Sequence, residues 1–316
     1  MKRTIGTICY ATESGLGIQA KSFIDNGVID LIYVYPHSTY AERKDWHIGK
    51  RVNSIDELLE KCDTLFFFET PFDWKVIPRA REKGIKTVLF PMYECSQYPF
   101  PYYPDVLVGC SEIETTHYKE LGCAIPCKHI NAPVTAKWRL RSEANVFIHN
   151  AGHGGLDGRN GTKELLQAMN YVKSPIKLII RTQDSNLKSD DSRVEIFKGT
   201  FPYEELWETG DILIFPEKFG GSFLPMQEAY ASGIPVMASD RFPTNSWLPK
   251  ELLIPVAGYK KERIGAEFDC AILDPVKIAE KIDEWYNKDI TKYSLMGKEW
   301  GEQNNWESLK HKFYEL

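Results

Sequence analysis

Residues 211–239 are the stretch that most limits what this chain can fold into. The apolar run 211–215 predicts a buried strand, Gly220-Gly221-Ser222 a tight loop, Pro225 the first turn of a helix, and Gly233 the stop of that helix. A second strand, 234–238, follows at once. A glycine loop between a strand and a helix N-terminus leaves backbone N–H groups pointing outward at the positive end of the helix dipole, which is where a phosphate sits well. Glu228 comes three residues after Pro225, and its carboxylate is suited to accept hydrogen bonds from the vicinal hydroxyls of a ribose. Phosphate and ribose together point to a nucleotide.

The rest of the chain repeats the alternation. Strand-like runs at 4–11, 31–35, 64–68, 87–90 and 106–109 are each followed by a helix-compatible or loop segment, which argues for parallel sheets with helices on both faces. The pattern restarts at 145–149 after an irregular basic piece, 132–142, where the interdomain linker is placed. Strands at 176–181 and 193–197, a helix near 203–208 and a helix at 276–286 complete the second half. The expected domains are 1–140, 141–290 and a C-terminal segment, 291–316. At 316 residues, 43% of them hydrophobic, the chain has the length for two domains of about 150 residues.

Composition excludes several classes. No run approaches the roughly 20 apolar residues of a membrane span, and the first residues lead directly into a strand instead of a signal peptide, so a cytoplasmic location is expected. Seven cysteines spread through the chain make no disulfide framework, and Cys123 with Cys127 lacks a second metal-binding pair. The histidines show no metal spacing either, since His149 and His153 lie across a strand end and loop. No metal site is expected. The formal charge of −5 argues against nonspecific binding of polyanions. Its whole acidic excess lies in 141–316, so an anionic acceptor would meet the first half.

The stretch 215–239 resembles the signature of the retaining glycosyltransferases with two Rossmann-like domains, the GT-B fold of glycosyltransferase family 4. That resemblance implies two Rossmann-like domains with parallel sheets facing a central cleft, the first binding an acceptor and the second a nucleotide-diphosphate sugar. It also implies a C-terminal helix that crosses back to the first domain. In the family, two glutamates with seven residues between them contact the sugar and the ribose. Glu228 matches the second, whereas Gly220 stands at the first, with Glu217 nearby. The amides of Gly220, Gly221, Ser222 and Phe223 would hold the diphosphate.

Asn150-Ala151-Gly152-His153-Gly154-Gly155-Leu156-Asp157-Gly158-Arg159-Asn160-Gly161-Thr162-Lys163 is similar to the family segment whose arginine and lysine clamp the diphosphate. His153 and Asn160 fall at those two positions. Arg159 is the preferred phosphate cation, because a guanidinium grips phosphate oxygens bidentately, and Lys163 is the alternative. Gly15 and Gly17, in the turn after the first strand, become donor candidates. That turn lacks the third glycine of a dinucleotide fingerprint, Ala20 standing in its place, which disfavours an NAD enzyme. Arg181 and Lys198 close two strands at the edge where open α/β sheets bind ligands, and the resemblance places them around the nucleotide base. Glu69 and Glu94, just past two apolar strands, are candidates for the acceptor pocket or proton transfer; a capping or salt-bridge role is the alternative for each.

The reaction implied is transfer of a sugar to a hydroxyl with retention, through stabilisation of the departing diphosphate and without a bound metal or cofactor. The acceptor expected is a glycan or small molecule, or else a hydroxylated DNA base. The DNA option comes from three basic clusters, two of them interleaved with aromatics: 40–51, 79–86 and 137–141. A nucleotide-sugar epimerase and a catalytically silent nucleotide-sugar-binding protein are the alternatives.

Overall fold

A computed structural model describes residues 3–38 and 40–316, apart from the side chains of Tyr203 and Glu204. Met1, Lys2 and Thr39 lie outside the described residues, and with the first two goes the expectation about the extreme N-terminus. The chain divides into two compact units: 1–131 with 263–266 and 309–316, and 132–262 with 267–308.

The first unit is built on seven parallel strands, β1 Ile5–Cys9, β2 Leu31–Val34, β3 Arg51–Val52, β4 Thr64–Glu69, β5 Lys86–Pro91, β6 Val106–Gly109 and β7 Cys127–His129. Their order across the sheet is β3-β2-β1-β4-β5-β6-β7. Helices α1 Gly15–Asp25, α2 Ile55–Lys61, α3 Val76–Glu82 and α4 Glu112–Glu120 connect them. Because helices cover both faces, the central strands are apolar throughout; Leu65, Phe66, Phe67 and Phe68 of β4 are all buried. Local capping agrees with the sequence. Ser14 accepts from the Gly17 amide at the start of α1, and Ser111 with Glu114 forms a capping box on α4.

The second unit carries six parallel strands, β8 Val146–Gly152, β9 Lys177–Thr182, β10 Val194–Lys198, β11 Ile212–Phe215, β12 Val236–Ser239 and β13 Leu253–Ile254, in the order β10-β9-β8-β11-β12-β13. Its helices are α5 Thr162–Ala168, α6 Tyr203–Leu206, α7 Leu224–Ala231, α8 Pro275–Trp285 and α9 Thr291–Gln303. Strands β14 Val256–Arg263 and β15 Glu267–Leu273 form a separate two-stranded sheet.

The C-terminal segment differs from a single helix. A break at 304–305 separates α9 from α10, Trp306–Tyr314, and α9 belongs to the second unit. The cause is close packing of α9 on α7. A Cβ on Gly297 would collide with the Tyr230 carbonyl oxygen, and one on Gly301 would lie 2.9 Å from the Ala231 Cβ. Residues from 309 onward group with the first unit, where Phe313 packs edge-on against Phe23, with centroids 4.9 Å apart.

Candidate functional site

In both sheets the strand order reverses beside the first strand of the unit, between β1 and β4 and between β8 and β11. Crevices outside the carboxyl ends of strands at such switch points are where open α/β sheets take ligands. The loops that follow β8 and β11 are the two glycine-rich segments singled out above.

These two loops are locked together by backbone. The Lys218 amide donates to the Arg159 carbonyl at 2.8 Å, and Gly161, at φ +73°, lies so close to Pro216 that a Cβ would strike its carbonyl oxygen. Asn160 donates its side-chain amide to the carbonyls of Asn150 and Ala151, at 3.1 and 3.2 Å. It pins the loop to the end of β8. Beneath the loops, His149 is wholly buried, with Nδ1 2.8 Å from the Ile214 carbonyl and Nε2 2.9 Å from the Thr162 hydroxyl. Burial lowers its pKa to about 4, so the ring is neutral and ties β8, β11 and the start of α5 into one piece.

On this base, the Arg159 guanidinium lies 4.9 Å from the centroid of the Phe223 ring, a cation–π contact worth about 0.5–1 kcal/mol. Phe223 caps α7 and packs edge-on against Phe215. Gly220, at φ +122°, sits under both side chains: a Cβ there would be 2.7 Å from the Phe223 ring and 3.1 Å from Arg159 Nη1. The backbone angle and the crowding each exclude a larger residue. Arg159, Gly220 and Phe223 are thus brought together, with Gly221 and Ser222 between the last two. The Ser222 hydroxyl is 3.4 Å from Gln227 Oε1.

Glu228 stands in α7, partly exposed. Burial alone pushes its carboxyl up to about 8, with no neighbouring cation to oppose the shift among the described residues. A carboxylate in this state gains from any ligand hydroxyl that donates to it. Glu217 has the opposite fate. It is completely buried, accepts from the Ser239 amide at 3.2 Å and from the Thr244 hydroxyl at 2.5 Å, and pairs with Arg241 at 3.4 Å. Burial raises its pKa, with Arg241 and Thr244 opposing. Arg241 also donates to the Gly220 carbonyl at 3.0 Å, so the pair supports the loop from below. Arg241 went unremarked in the sequence; its position just past β12, a strand end beside β11, was the available signal.

The Arg181 guanidinium is buried and donates to the carbonyls of Leu206 and Glu205 and to the Thr209 hydroxyl, at 3.2, 3.5 and 2.7 Å. Its donors go to the end of α6 and to the segment just after it. Lys198, exposed on edge strand β10, donates to the Ser185 carbonyl. His153 and Lys163 are exposed, the latter in the first turn of α5. In the first unit, Gly17 is needed for packing, since a Cβ would collide with the Thr12 carbonyl, whereas Gly15 has open space where its Cβ would be.

Glu69 ends β4 in the left-handed region, φ +63°, and accepts from Cys95 Sγ at 3.0 Å. Glu94 is buried, and its carbonyl accepts the amides of Gly265 and Ala266. Several arginines of the basic clusters are engaged within the protein. Arg43 pairs with Glu13 and Asp45, Arg51 with Glu42 and Arg79 with Asp56; Arg141 donates to the carbonyls of Gly210 and Trp207. Trp46 is 8% exposed, too covered to stack on a base. Among the described residues, no group of three or more His, Cys, Asp or Glu side chains could hold a metal ion, and no helix is long and apolar enough to cross a membrane.

Two parallel-sheet α/β units of this kind define the GT-B fold. Among solved structures, HepE from Anabaena in complex with UDP is similar over 99% of this chain and 98% of its own, with a TM-score of 0.68 at 12% identity. Sucrose-phosphate synthase from Thermosynechococcus elongatus (0.66, 13%) and the lipopolysaccharide outer core galactosyltransferase WaaB (0.64, 13%) match over the same shares. Such identities establish the fold. No protein-family model matches the chain, and no curated protein is similar to it in sequence.

Proposed function

We propose that the protein is a glycosyltransferase that moves a sugar from a nucleotide-diphosphate donor to an acceptor hydroxyl. The observation that carries this reading is the Glu228 carboxyl, desolvated and without a cation partner among the described residues, in the helix that the Gly220–Phe223 loop opens. Ribose hydroxyls donating to Glu228 would leave the diphosphate to the loop amides and to Arg159, the arrangement a departing anion requires. Lys163 and His153 are secondary cation candidates, and Gly15 is a further donor contact. Lys198 and Arg181 then act through the loops they hold and not by direct contact. UDP is the first nucleotide to test, because HepE, a structure of this fold, was solved with UDP and with UDP-glucose.

Retention at the anomeric carbon, independence of metal, and an acceptor role for the first unit complete the proposal. Glu69 is the preferred acceptor-side carboxylate, and Glu94 the lesser candidate because it is buried. A glycan or small molecule is favoured as acceptor over a hydroxylated DNA base, since the arginines that would meet phosphates are already paired. A cytoplasmic setting is part of the proposal, and it accords with seven cysteines that are in no disulfide.

The test is calorimetric titration with UDP, followed by incubation with UDP-sugars and mass spectrometry of the products. Binding in the micromolar range, weakened at least about tenfold in Glu228→Ala, is expected; that factor corresponds to one lost charge-assisted hydrogen bond. Unchanged binding and turnover in the variant would overturn the reading. A second reading, a nucleotide-sugar-binding protein without turnover, is favoured by one observation: Glu217 is turned into the core and Gly220 supplies no side chain. Binding without product would select it, and an altered free sugar nucleotide would select an epimerase.

A further inference from the structure

Five aromatic rings gather at the carboxyl edge of the first sheet. Tyr10 follows β1 directly, Tyr35 and His37 follow β2, Phe72 lies three residues past β4, and Tyr40 completes the group. These strands are neighbours, in the order β2-β1-β4, and include the switch point of that sheet. Tyr35 and Phe72 are stacked, centroids 4.6 Å apart at 12°; Tyr10 meets Phe72 at 4.7 Å and His37 at 4.4 Å, and His37 meets Tyr40 at 5.0 Å.

The core aromatics of the same sheet, Phe66, Phe67, Phe68 and Phe90, are no more than 2% exposed, whereas all five rings of this group remain partly exposed. Tyr35 and Phe72 pack against the core of the unit and yet keep part of their surface exposed. The rings also carry polar groups. The Tyr40 amide donates to His37 Nδ1 at 3.1 Å. Glu69 lies close enough to Tyr10 to help raise its phenol, after burial and Cys9. Among the described residues Glu69 Oε2 has no hydrogen-bond partner, while Oε1 accepts from Cys95. Glu69 holds this place at φ +63°, a conformation that costs about 1–2 kcal/mol in a residue with a Cβ.

We infer that this aromatic shelf, with Glu69 at its edge, is a saccharide-binding subsite for the acceptor. The inference rests on the glycosyl-transfer reading and names its acceptor class. A pyranose offers an apolar C–H face to a ring and a rim of hydroxyls, and the shelf offers ring faces and a carboxylate acceptor in return. A nucleic acid would need cations beside the stacking rings, and the arginines of the adjoining 40–51 loop, Arg43 and Arg51, are paired with Glu13, Asp45 and Glu42.

Saturation-transfer NMR on the whole protein, without donor, tests this with methyl glucopyranoside, maltose, cellobiose and lactose, and separately with a hydroxymethylcytosine oligonucleotide. Saturation should reach the C–H protons of at least one saccharide. The double variant Tyr10→Leu/Phe72→Leu, which keeps apolar volume, should weaken that binding by roughly fivefold, the size of one aromatic contact. Tyr10→Phe, which keeps the ring, should retain it, and His37→Ala should reduce it, so the outcome does not depend on one variant folding. The inference is overturned if no saccharide receives saturation, if the double variant binds like the original chain, or if the oligonucleotide occupies the rings instead. UDP titrated into the same samples separates the two proposals. Saccharide binding without UDP binding sinks the glycosyl-transfer reading and leaves the shelf, and UDP binding without saccharide binding does the reverse.

Discussion

Glu228 links the stability of the protein to its ligand through one proton. Its folded pKa, about 8, lies above the ordinary carboxyl value of 4.5, so the stabilising contribution of the protonated form is complete below 4.5 and is lost as pH rises through 8. Glu228→Gln removes that loss. The variant should match the original chain in urea unfolding near pH 5 and exceed it by about 1–3 kcal/mol at pH 9, allowing for partial exposure; an unchanged difference across that range would refute the assignment. Binding has the opposite sign. Near pH 7 roughly nine-tenths of the unliganded carboxyl is protonated, and ribose hydroxyls favour the anion, so UDP binding should expel close to one proton. Calorimetry in phosphate and in Tris reads this directly. Equal enthalpies in the two buffers, or proton release that persists in Glu228→Gln, would show that another group carries it.

At the scale of elements, close packing by glycine decides how the site is held. Helix α7 presents the loop at one end and packs on α9 along its length, with Gly297 against the Tyr230 carbonyl. Gly297→Ala should therefore destabilise the chain by about 1–3 kcal/mol, the cost of overpacking against rigid backbone, and broaden the exchange of α7 amides. Gly15→Ala, in open space, should leave the unfolding midpoint within about 0.5 kcal/mol, whereas Gly17→Ala should not. Such contacts explain what could be read from the sequence. Strands β1, β4, β8 and β11 are buried on both faces, so each appears as an apolar run. Strands β3 and β13 have two residues each, β7 is Cys-Lys-His, and β14 exposes every residue from Tyr259 to Arg263, so none gives an extended apolar run. Glu228 and the glycine loop stand out in the sequence because their signals, a glycine run and a carboxyl in the helix that follows it, are local. The partners of Arg181 were not legible because they lie 24 to 28 residues away, nor were those of Glu217, at Ser239, Arg241 and Thr244, which lie 22 to 27 residues away. Nothing local announces a buried ion pair. Its removal is costly even so: Arg241→Met would leave Glu217 buried without its cation and should cost about 3–5 kcal/mol, read as a fall in the urea midpoint.

Across the whole molecule, two sheets with the same reversal of strand order are furnished with different chemistry. The switch point of the second unit has glycine amides, Arg159 and Glu228, groups suited to an anion bearing a diol; that of the first has aromatic rings and one carboxylate. Nucleotide binding should therefore mark one sheet far more than the other. Hydrogen exchange with and without UDP measures this over the full chain. Amides of 152–162 and 216–228 should slow, because these loops exchange by local opening that a ligand suppresses, while the strands of the first sheet should be unchanged. Slowing at 14–16 in addition would mark the Gly15 turn as the one donor contact supplied by the first unit. The global effect follows mass action: at a UDP concentration about 100 times Kd, unfolding should become harder by about 2.7 kcal/mol, and Glu228→Ala should reduce that gain at the same concentration. Protection confined to the first unit would reverse the assignment of donor and acceptor sides, and uniform protection would mean that UDP reports only on global unfolding.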